Sequence, residues 1–585
     1  MAIRLRLQKD RLAEFFSTRR MVLFVIIALV TIGSVIPLIF LLWSSFKPVS
    51  VGNLSDWSLT NFTLKNFRDV LAEPSTFLML KDSFFFAFGS MIVAYIFGGV
   101  IAFMVERTNT PYRNVMYGLM FIPLIMPGML KAIGWVLLTG PRAGALNQAW
   151  FALSGSSEPL FNAFSIPMMF FVEGLSLSPL TFFLLGATMR GMDPSLEEAA
   201  YVSGANRVTT MLRVTMRLMT PALAGVGLLN FARAIESFDT PLIMGFSSGI
   251  RVFATQIYLV LRNISPPEYG HGFVLSLTLI IITVAGILVY QRMMRRSERF
   301  ATVTGKGYRP RLLDLGPVGR PLATSFMLFF LIVAMILPML TMAWSSFLPF
   351  YQVPWANGFD VSRLTLENYR ILTARPDFAL AVRNTVLLSG FSAVGSMLLA
   401  VVISWVIIRL RPKGTKVLDA LVFIPYAIPG IALGFSMMVI FLAFPNPIYG
   451  SIWILVIAYT VHFIPVATRF THAGVAQLKG ELEEAAMTSG AGTFTMMRRI
   501  LVPLMLPTLI GGGLYVFLLS SRIMSMAAIL YTPDSMVLAI YIYQIYTEGR
   551  LPLVGALAVI MVVSLTTLTI FSRMLAQRRG TQVHG

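Results

Sequence analysis

The chain has 585 residues, of which 56% are hydrophobic and only 12% are charged, and it contains no cysteine. A charged share about half that of soluble proteins, with apolar runs of about 20 residues, excludes a series of soluble domains and predicts a membrane protein. The lack of cysteine excludes disulfides, thiolate metal sites and cysteine nucleophiles. The net charge of +20 fits the excess of basic residues in the cytoplasmic loops of membrane proteins, so we expect no nucleic-acid partner.

The first segment, residues 1–20, is basic, and an apolar run follows it at 22–42. This run is longer than the roughly 7–15 apolar residues of a secretory signal peptide, and no small-residue cleavage site follows it. We therefore predict a retained first membrane helix whose N-terminus lies in the cytoplasm.

Twelve apolar segments are long enough to cross a bilayer. They lie at 21–42, 82–105, 115–139, 165–189, 220–245, 272–291, 322–345, 384–408, 417–443, 451–471, 505–530 and 552–572. An even number of spans places both termini on one side of the membrane. With both termini inside, most Lys and Arg residues fall in inner segments, as the positive-inside rule requires.

Several short segments occur twice. WSSF at 43–46 recurs at 344–347, TLKNF at 63–67 recurs as TLENY at 365–369, and FIP with PG at 121–128 recurs at 423–430. Each half of the chain has six predicted spans, so the two copies have the same orientation, as in parallel transporter repeats. The prolines in FIP and PG predict broken helices in the third and ninth spans.

The repeats predict a division of the chain into five parts. They are a cytoplasmic N-terminal segment at 1–20, a six-helix half at 21–291, a basic Gly- and Pro-containing cytoplasmic linker at 292–320, a second six-helix half at 321–573, and a cytoplasmic tail at 574–585. The offset between the copies falls from 302 to 286 residues, so the first half holds an insertion. The polar stretch at 140–164 accounts for it, and we predict an outer loop or re-entrant segment without assignable function.

LEEAAYVSGA at 196–205 recurs as LEEAAMTSGA at 482–491, with eight of ten positions identical. Both copies fall between the fourth and fifth spans of their half, on the predicted cytoplasmic side. Pro194 and the capping-box pattern from Ser195 to Glu198 predict a helix start with two carboxylates in its first turn. Gly204 predicts a left-handed turn after that helix, and Pro221 and Pro507 mark the predicted start of the next span. One copy alone would fit an ordinary interfacial helix, whereas two near-identical copies favour a shared partner.

This pattern resembles the permease subunit of binding-protein-dependent ABC importers. The cytoplasmic loop of that family reads E-A-A, three residues, G, nine residues, then I-x-L-P. The second copy has Glu484-Ala485-Ala486, Gly490 and then ILVP at 500–503, and the first copy has Arg217 where the family has proline. The resemblance covers nearly the whole chain. Two halves in one chain, and the segment at 530–551, are most similar to permeases of the ferric-iron, thiamine and polyamine type.

The resemblance implies an all-α membrane protein of about twelve transmembrane helices in two parallel six-helix repeats, the type I ABC importer permease fold. It also implies that each repeated loop forms a coupling helix, which docks into a groove on a separate ATPase subunit. The matched docking residues are Glu197, Glu198, Ala199, Ala200, Gly204, Glu483, Glu484, Ala485, Ala486 and Gly490. The implied partners are two copies of that ATPase, a periplasmic or extracellular solute-binding protein, and membrane lipid. The implied location is the bacterial inner membrane, and ferric iron is the candidate solute.

The sequence contains no G-x-x-x-x-G-K-[ST] phosphate loop. We therefore expect a transport subunit that is not itself an enzyme and binds no cofactor, with ATP and Mg bound by the partner ATPase.

Charged residues within membrane spans are costly and often functional. Arg233, Glu236 and Asp239 are spaced by three, which predicts a shared helical face in the fifth span. The offset of 286 places Arg522 at the position of Glu236 in the second half. These four residues are candidates for a gate on the translocation path, and Arg522 is also a candidate contact for a substrate anion. The open alternative is a local Arg233–Glu236 pair that only fixes helix packing.

Other residues within spans are weaker candidates. Glu173 and Lys131 are further pathway candidates, whereas His462 and His472 are more typical of packing histidines than of metal ligands, so no metal site is expected. At the level of function, two alternatives to the ABC permease stay open. One is a twelve-helix secondary transporter driven by an ion gradient, and the other is an intramembrane enzyme.

Overall fold

The structure is a computed structural model. It describes residues 27–28, 30–48, 60–124, 126–192, 195–298, 312–355, 361–411, 415–444 and 447–578. In these residues every regular element is a helix, and the only β pairing is a single bridge between Thr108 and Leu313. The predicted N-terminal segment at 1–20 lies outside the described residues, as does most of the predicted tail.

Within its described residues, the first half contains twelve main helices. They are α1 (Val30–Ser45), α2 (Lys65–Ala72), α3 (Pro74–Arg107), α4 (Arg113–Leu124), α5 (Gly128–Thr139), α6 (Ala145–Ser154), α7 (Ile166–Arg190), α8 (Ser195–Val202), α9 (Met211–Ile235), α10 (Pro241–Ser248), α11 (Phe253–Asn263) and α12 (Tyr269–Glu298). The insertion predicted at 140–164 contains α6.

The part of the second half that the structure describes contains eleven main helices. They are α13 (Gly316–Ser346), α14 (Glu367–Ala374), α15 (Pro376–Leu410), α16 (Thr415–Ala427), α17 (Gly430–Ala443), α18 (Ile452–Gln477), α19 (Glu481–Thr488), α20 (Thr493–Ser520), α21 (Ser525–Leu530), α22 (Leu538–Thr547) and α23 (Leu551–Arg578). The segment between the two helices is shorter than the predicted linker at 292–320, because α12 continues to Glu298 and α13 begins at Gly316.

Within the described residues, nine helices are long and apolar enough to cross a membrane, and the number rises to as many as twelve if each of three bent helix pairs forms one span. The predicted breaks in the third and ninth spans are confirmed at the prolines of PG, whereas Pro425 of the second FIP lies inside α16. α16 and α17 meet at an angle of 99°, and Pro429 is extended there, with φ −53° and ψ 137°. Pro127 has the matching values of −57° and 142° directly before α5. A proline lacks the N–H that would continue the helix and disfavours helical backbone in the residue before it, which explains the breaks.

The bounds predicted for the fifth and eleventh spans are wrong. The fifth was placed at 220–245, but α9 ends at Ile235, and the eleventh was placed at 505–530, but α20 ends at Ser520. Pro221 and Pro507 lie inside these helices rather than at their starts. A π turn precedes each proline, at Met211–Thr215 and Met497–Leu501, and such a turn loosens the backbone hydrogen-bond ladder before the proline.

The helices form two compact units that do not follow the two sequence halves. As far as these residues are described, one unit consists of Met1–Asn66, Pro376–Tyr541 and Ser564–Gly585. The other consists of Phe67–Arg375 and Ile542–Val563. Each unit therefore contains the first helix of the opposite sequence half.

In the unit of α15 to α21, α1 packs on helices of the second sequence half. Val30 is 2% exposed and belongs to one apolar cluster with Trp405, Ile464 and Leu501. A Cβ at Gly33 would lie 2.9 Å from Cγ2 of Val461, so the two backbones approach closely there. The other unit shows the reciprocal arrangement for α13.

In the unit of α2 to α13, α13 packs on helices of the first sequence half. Phe97 of α3 contacts the rings of Phe326 and Phe330, with centroids 5.7 and 5.6 Å apart. Gly134 of α5 lies against Pro338, because a Cβ at Gly134 would be 2.7 Å from the proline Cβ. The residues directly before α13 are held to the end of α3, since Leu313 donates its backbone N–H to Arg107 O over 2.8 Å.

The repeated WSSF and TLxN segments form the same local structure twice. Asn66 Nδ2 donates to the carbonyls of Ser45 and Lys47, over 3.0 and 2.8 Å. Asn368 Nδ2 donates to the carbonyls of Ser346 and Leu348, over 3.0 and 2.7 Å. Each asparagine satisfies carbonyls that the helix end leaves without an intrahelical donor.

Candidate functional site

The repeated segments at 195–205 and 481–491, here called the first and second EAA segments, each form a short helix followed by a glycine turn. The helices are α8 and α19. Gly204 and Gly490 have φ of +84° and +87°. Beyond each glycine, the next N–H closes the turn, from Ala205 to Ala200 O and from Ala491 to Ala486 O, both over 3.0 Å. The predicted helix and left-handed turn are therefore confirmed in both copies.

Soon after each turn the chain becomes helical again. Arg207–Thr210 leads without a break into α9, and α20 already begins at Thr493. Each EAA segment is therefore followed, after one non-helical residue, by the helix that forms the next span. Asp193, Pro194 and the Ser195 side chain lie outside the described residues, so the predicted capping box stays a prediction.

The two adjacent glutamates in each segment have different surroundings. The leading glutamates, Glu197 and Glu483, face the protein. Glu483 is 7% exposed and accepts hydrogen bonds from Arg409 Nε and Trp405 Nε1, both over 2.9 Å. Glu197 forms an ion pair with Arg107 Nη1 at 3.4 Å. Because these carboxylates are occupied by internal partners, they are poorly placed to contact another protein directly.

The motif glutamates, Glu198 and Glu484, lie on the more open side of their helices. Glu484 is exposed, Glu198 is half-buried, and the alanines that follow them, Ala199 and Ala485, are both exposed. A larger apolar side chain is exposed on each segment too, at Leu196 (46%) and Leu482 (48%). An exposed surface that combines apolar and acidic groups is typical of a protein interaction site.

The second alanines, Ala200 and Ala486, point towards the protein. Ala486 is 8% exposed and belongs to an apolar cluster with Met496 and Leu501, and Ala200 is half-buried. The five matched positions of each segment are thus divided between an outward and an inward face. Sequence reasoning assigned all of them to docking.

Sequence reasoning also missed Arg107 and Arg409, the partners of the leading glutamates. A signal was available, since the two arginines are 302 residues apart, which is the offset of the other repeats before the insertion. Arg107 is the last residue of α3, and Arg409 is the penultimate residue of α15.

The predicted pathway residues do not share one helical face. Helix α9 ends at Ile235, and Glu236 caps it, so Asp239 lies beyond the helix. Arg233 Nη1 is 2.7 Å from Glu236 Oε1, which supports the local-pair alternative for these two residues. Arg522 similarly follows the end of α20 at Ser520. A gate that includes Arg522 stays a prediction.

Asp239 lies instead at the break between α4 and α5. A Cβ at Gly128 would be 3.0 Å from Asp239 Oδ2. In the other unit a Cβ at Gly430 would be 2.5 Å from Ser525 Oγ. These residues match by the same two repeat offsets, 302 for the glycines and 286 for Asp239 and Ser525. The segment after each of the two spans therefore packs on a broken helix.

The weaker candidates have local hydrogen-bond partners. Glu173 accepts from Thr240 Oγ1 over 2.7 Å, and Lys131 Nζ donates to Ser176 Oγ over 3.2 Å. His472 Nδ1 lies 3.3 Å from Ser404 Oγ. Across the part of the chain that the structure describes, no group of three or more His, Asp or Glu residues is placed to hold a metal ion.

A family model described as "Binding-protein-dependent transport system inner membrane component" matches the chain twice, at residues 94–303 and 396–581. The chain belongs to this family. Each match contains one EAA segment and the long helices around it, so the permease is of the fused type, with two copies of the unit in one chain. Together with the helical structure, this confirms an all-α, multi-pass membrane protein of the ABC importer permease class.

Two curated relatives are similar in sequence to most of the permease, and a third is similar to part of it. The chain is 28% identical to the ferric transport system permease protein FbpB of Actinobacillus pleuropneumoniae, over 86% of this chain and 72% of the relative. It is 27% identical to putative ferric transport system permease protein FbpB 1 of Haemophilus influenzae, over 82% and 74%. The spermidine/putrescine transport system permease protein PotC of Escherichia coli is 25% identical over 38% of this chain and 86% of its own length.

Among solved structures, a bacterial ABC transporter involved in the import of the acidic polysaccharide alginate is similar to one part of the permease. The identity is 18%, the match covers 44% of this chain and 93% of that chain, and the TM-score is 0.35.

Proposed function

We propose that this permease forms the membrane path of an ATP-driven importer, and that two copies of a separate ATPase subunit dock on its two EAA segments. ATP and Mg bind to those subunits, and the permease itself hydrolyses nothing. ATP binding closes the ATPase pair and moves the two docked helices, which alternates access to the path between the two sides of the membrane.

One observation carries the docking proposal, namely that both EAA segments have the same built surface. In each, a glycine turn with φ near +85° ends a two-turn helix. In each, a leucine and an alanine are exposed beside a motif glutamate. Two copies of one surface, at the same place in two copies of one unit, suit two copies of one partner.

A solute-binding protein outside the inner membrane delivers the solute in this proposal. Ferric iron is the proposed solute, because relatives that match most of this chain are named as ferric transport permeases. Both termini and both EAA segments lie in the cytoplasm. The basic residues of the N-terminus and of the segment at 292–311 support that orientation.

The docking proposal is tested with Glu198→Arg combined with Glu484→Arg. Reversing both charges on the open faces should abolish co-purification of the ATPase from detergent extracts, while membrane insertion and yield stay at the wild-type level. The matched control reverses two exposed glutamates elsewhere, Glu158→Arg with Glu367→Arg, and should retain the ATPase. Retention of the ATPase by the Glu198/Glu484 variant would place docking elsewhere.

A transport assay distinguishes an ABC importer from an ion-driven transporter. In proteoliposomes that contain the ATPase and the binding protein, uptake should require ATP and survive collapse of the ion gradients. Uptake that persists without ATP and stops when the gradients collapse would identify a secondary transporter instead.

A further inference from the structure

We propose that each leading glutamate and its arginine form an anchor that joins the docking helix to the second span of the same half. The anchors are Arg107–Glu197 and Arg409–Glu483. Through them, a displacement of α8 or α19 is passed directly to α3 or α15, so the anchored arginines are positioning residues for transport. This inference rests on the proposed function only where it concerns the ATPase.

The second anchor connects three helices. Arg409, near the end of α15, donates from Nε to Glu483 Oε1 of α19 over 2.9 Å. It also donates from Nη2 to the carbonyls of Val475 and Leu478 at the end of α18, over 3.1 Å for Val475. A cation at the carbonyls of a helix C-terminus is doubly favourable, because it donates hydrogen bonds to them and the helix dipole also attracts it. Trp405 Nε1 donates a hydrogen bond to the other carboxylate oxygen, Glu483 Oε2, over 2.9 Å.

The first anchor repeats this arrangement. Arg107, at the end of α3, donates from Nη1 to Glu197 of α8 and from Nη2 to Met189 O over 2.9 Å, at the end of α7. The second oxygen of Glu197 accepts from Thr215 Oγ1 over 2.7 Å. The same three helices of each half therefore meet at one arginine, although the participating residues are 90 and 74 positions apart in sequence.

The two anchors differ in strength. Phe103 stands in the first half where the offset of 302 places Trp405 in the second, so the ring donor is missing there. The Arg107–Glu197 separation is 3.4 Å, and Arg107 Nε, although buried, has no hydrogen-bond partner in the described part of the chain. Charge-assisted hydrogen bonds weaken with distance and poor alignment. The second anchor is therefore the tighter one, and its loss should have the larger effect.

Removal of one charge leaves the other arginine or glutamate in a largely buried position without its counterion, which is strongly unfavourable. The docking helix would then keep its apolar contacts, its backbone connection and the hydrogen bond from Trp405 or Thr215, but not the ion pair. It should open locally more often, and its motion should be transmitted less completely to the second span.

The first test uses the purified permease alone. In Glu483→Gln, amide hydrogen exchange in residues 481–489 should accelerate about tenfold, and in Glu197→Gln exchange in 195–203 should accelerate by a smaller factor. Trp405→Phe places in the second half the residue type that the first half has, and it keeps both charges. It should accelerate exchange in residues 481–489 less than Glu483→Gln does, and it tests the anchor even if Glu483→Gln fails to fold. Glu367→Gln removes an exposed charge that lies 3.7 Å from Arg370 and serves as the matched control. Unchanged exchange in both Glu483→Gln and Trp405→Phe would overturn the anchor.

The second test measures solute transported per ATP hydrolysed in proteoliposomes with the ATPase and the binding protein. Glu483→Gln should retain the ATPase and hydrolyse ATP, but transport per ATP should fall about tenfold. Arg409→Gln should behave alike, and the double variant should be no worse than either single one, because the two residues act as a unit. Additive losses, or an unchanged ratio in the single variants, would contradict transmission through the anchor. If the wild-type permease never binds the ATPase, the proposed function fails, and the exchange test alone then decides whether the anchor exists.

Discussion

Gly204 and Gly490 adopt a backbone conformation that costs other residues free energy. A Cβ at Gly204 would meet no atom within 4 Å, so the φ of +84° is the only obstacle to a larger residue. Left-handed backbone costs an L-residue with a Cβ roughly 1–2 kcal/mol. The glycine is thus required by the turn itself and not by close packing.

Gly204→Ala should therefore destabilise the turn by about 1 kcal/mol, and Gly204→Asn should cost less, because asparagine tolerates this region. The measurement is hydrogen exchange of residues 200–206 in the purified permease. Gly390 in α15 is the matched control, since a Cβ there also meets nothing within 4 Å and its φ is helical. Gly390→Ala should be neutral or stabilising. If Gly390→Ala destabilised the permease more than Gly204→Ala does, the left-handed backbone would not explain the need for glycine at position 204.

Some residue roles follow from local pattern and others do not. The turn glycines were predictable, because few residues other than glycine end a helix in this conformation. The division of each glutamate pair was not, because it depends on an arginine that folding brings from 90 or 74 positions away. Asp239 was assigned to a helical face because the spacing of three residues does not show where a helix ends, and α9 ends at Ile235.

At the scale of elements, the asparagine contacts between WSSF and TLxN hold the end of each first helix to the following short helix. Asn368 is 6% exposed and bonds two carbonyls, whereas Asn66 is only half-buried. In both copies a backbone bond accompanies the side chain, from Thr63 to Phe46 O over 2.8 Å and from Thr365 to Phe347 O over 2.7 Å. The repeat in sequence is thus explained by a repeated contact.

Asn368→Asp should lower the free energy of unfolding by about 2 kcal/mol, because a carboxylate would face two carbonyl oxygens in a buried position. Asn66→Asp should cost less, since water reaches that site. Thermal unfolding in detergent measures both, and exposed Asn114 supplies the control Asn114→Asp. Equal losses at positions 368 and 114 would show that the buried amide contributes nothing.

Element existence was predicted better than element bounds. The breaks near Pro127 and Pro429 followed from proline chemistry, and the nine long spans followed from apolar length. The fifth and eleventh spans were displaced, because the early turns of α9 and α20 carry Arg213, Arg217 and Arg499 and therefore do not read as membrane segments. The bent pair α10–α11, which meets at 72°, was not predicted at all, because each of its helices is shorter than a span.

At the scale of the whole molecule, each compact unit takes its first helix from the opposite sequence half. Repeats in sequence could not predict this exchange, because they identify equivalent segments and say nothing of which copy a helix packs on. The contacts of α1 with Val461 and of α13 with Phe97 determine it.

A permease cut between Gly305 and Lys306 tests the exchange. Neither fragment alone contains a complete unit, so each should be unstable when expressed singly, and the two should co-purify and stabilise each other when expressed together. A fragment that also lacks residues 1–48 should complement much less well. Two fragments that fold independently, each with a cooperative unfolding transition of its own, would contradict the exchange.

The exchange also sets the order of events during biosynthesis. Helix α1 leaves the ribosome first, yet Val461, its neighbour at Gly33, is made 428 residues later. At a synthesis rate of roughly 5–20 residues per second, α1 waits on the order of 20–90 s in the bilayer for its permanent neighbours. Its apolar side chains can contact lipid during that time, since Ile32, Ile39 and Leu42 remain about half exposed even in the finished structure. Helix α1 thus has an outer surface that lipid can solvate until the last third of the polypeptide is made.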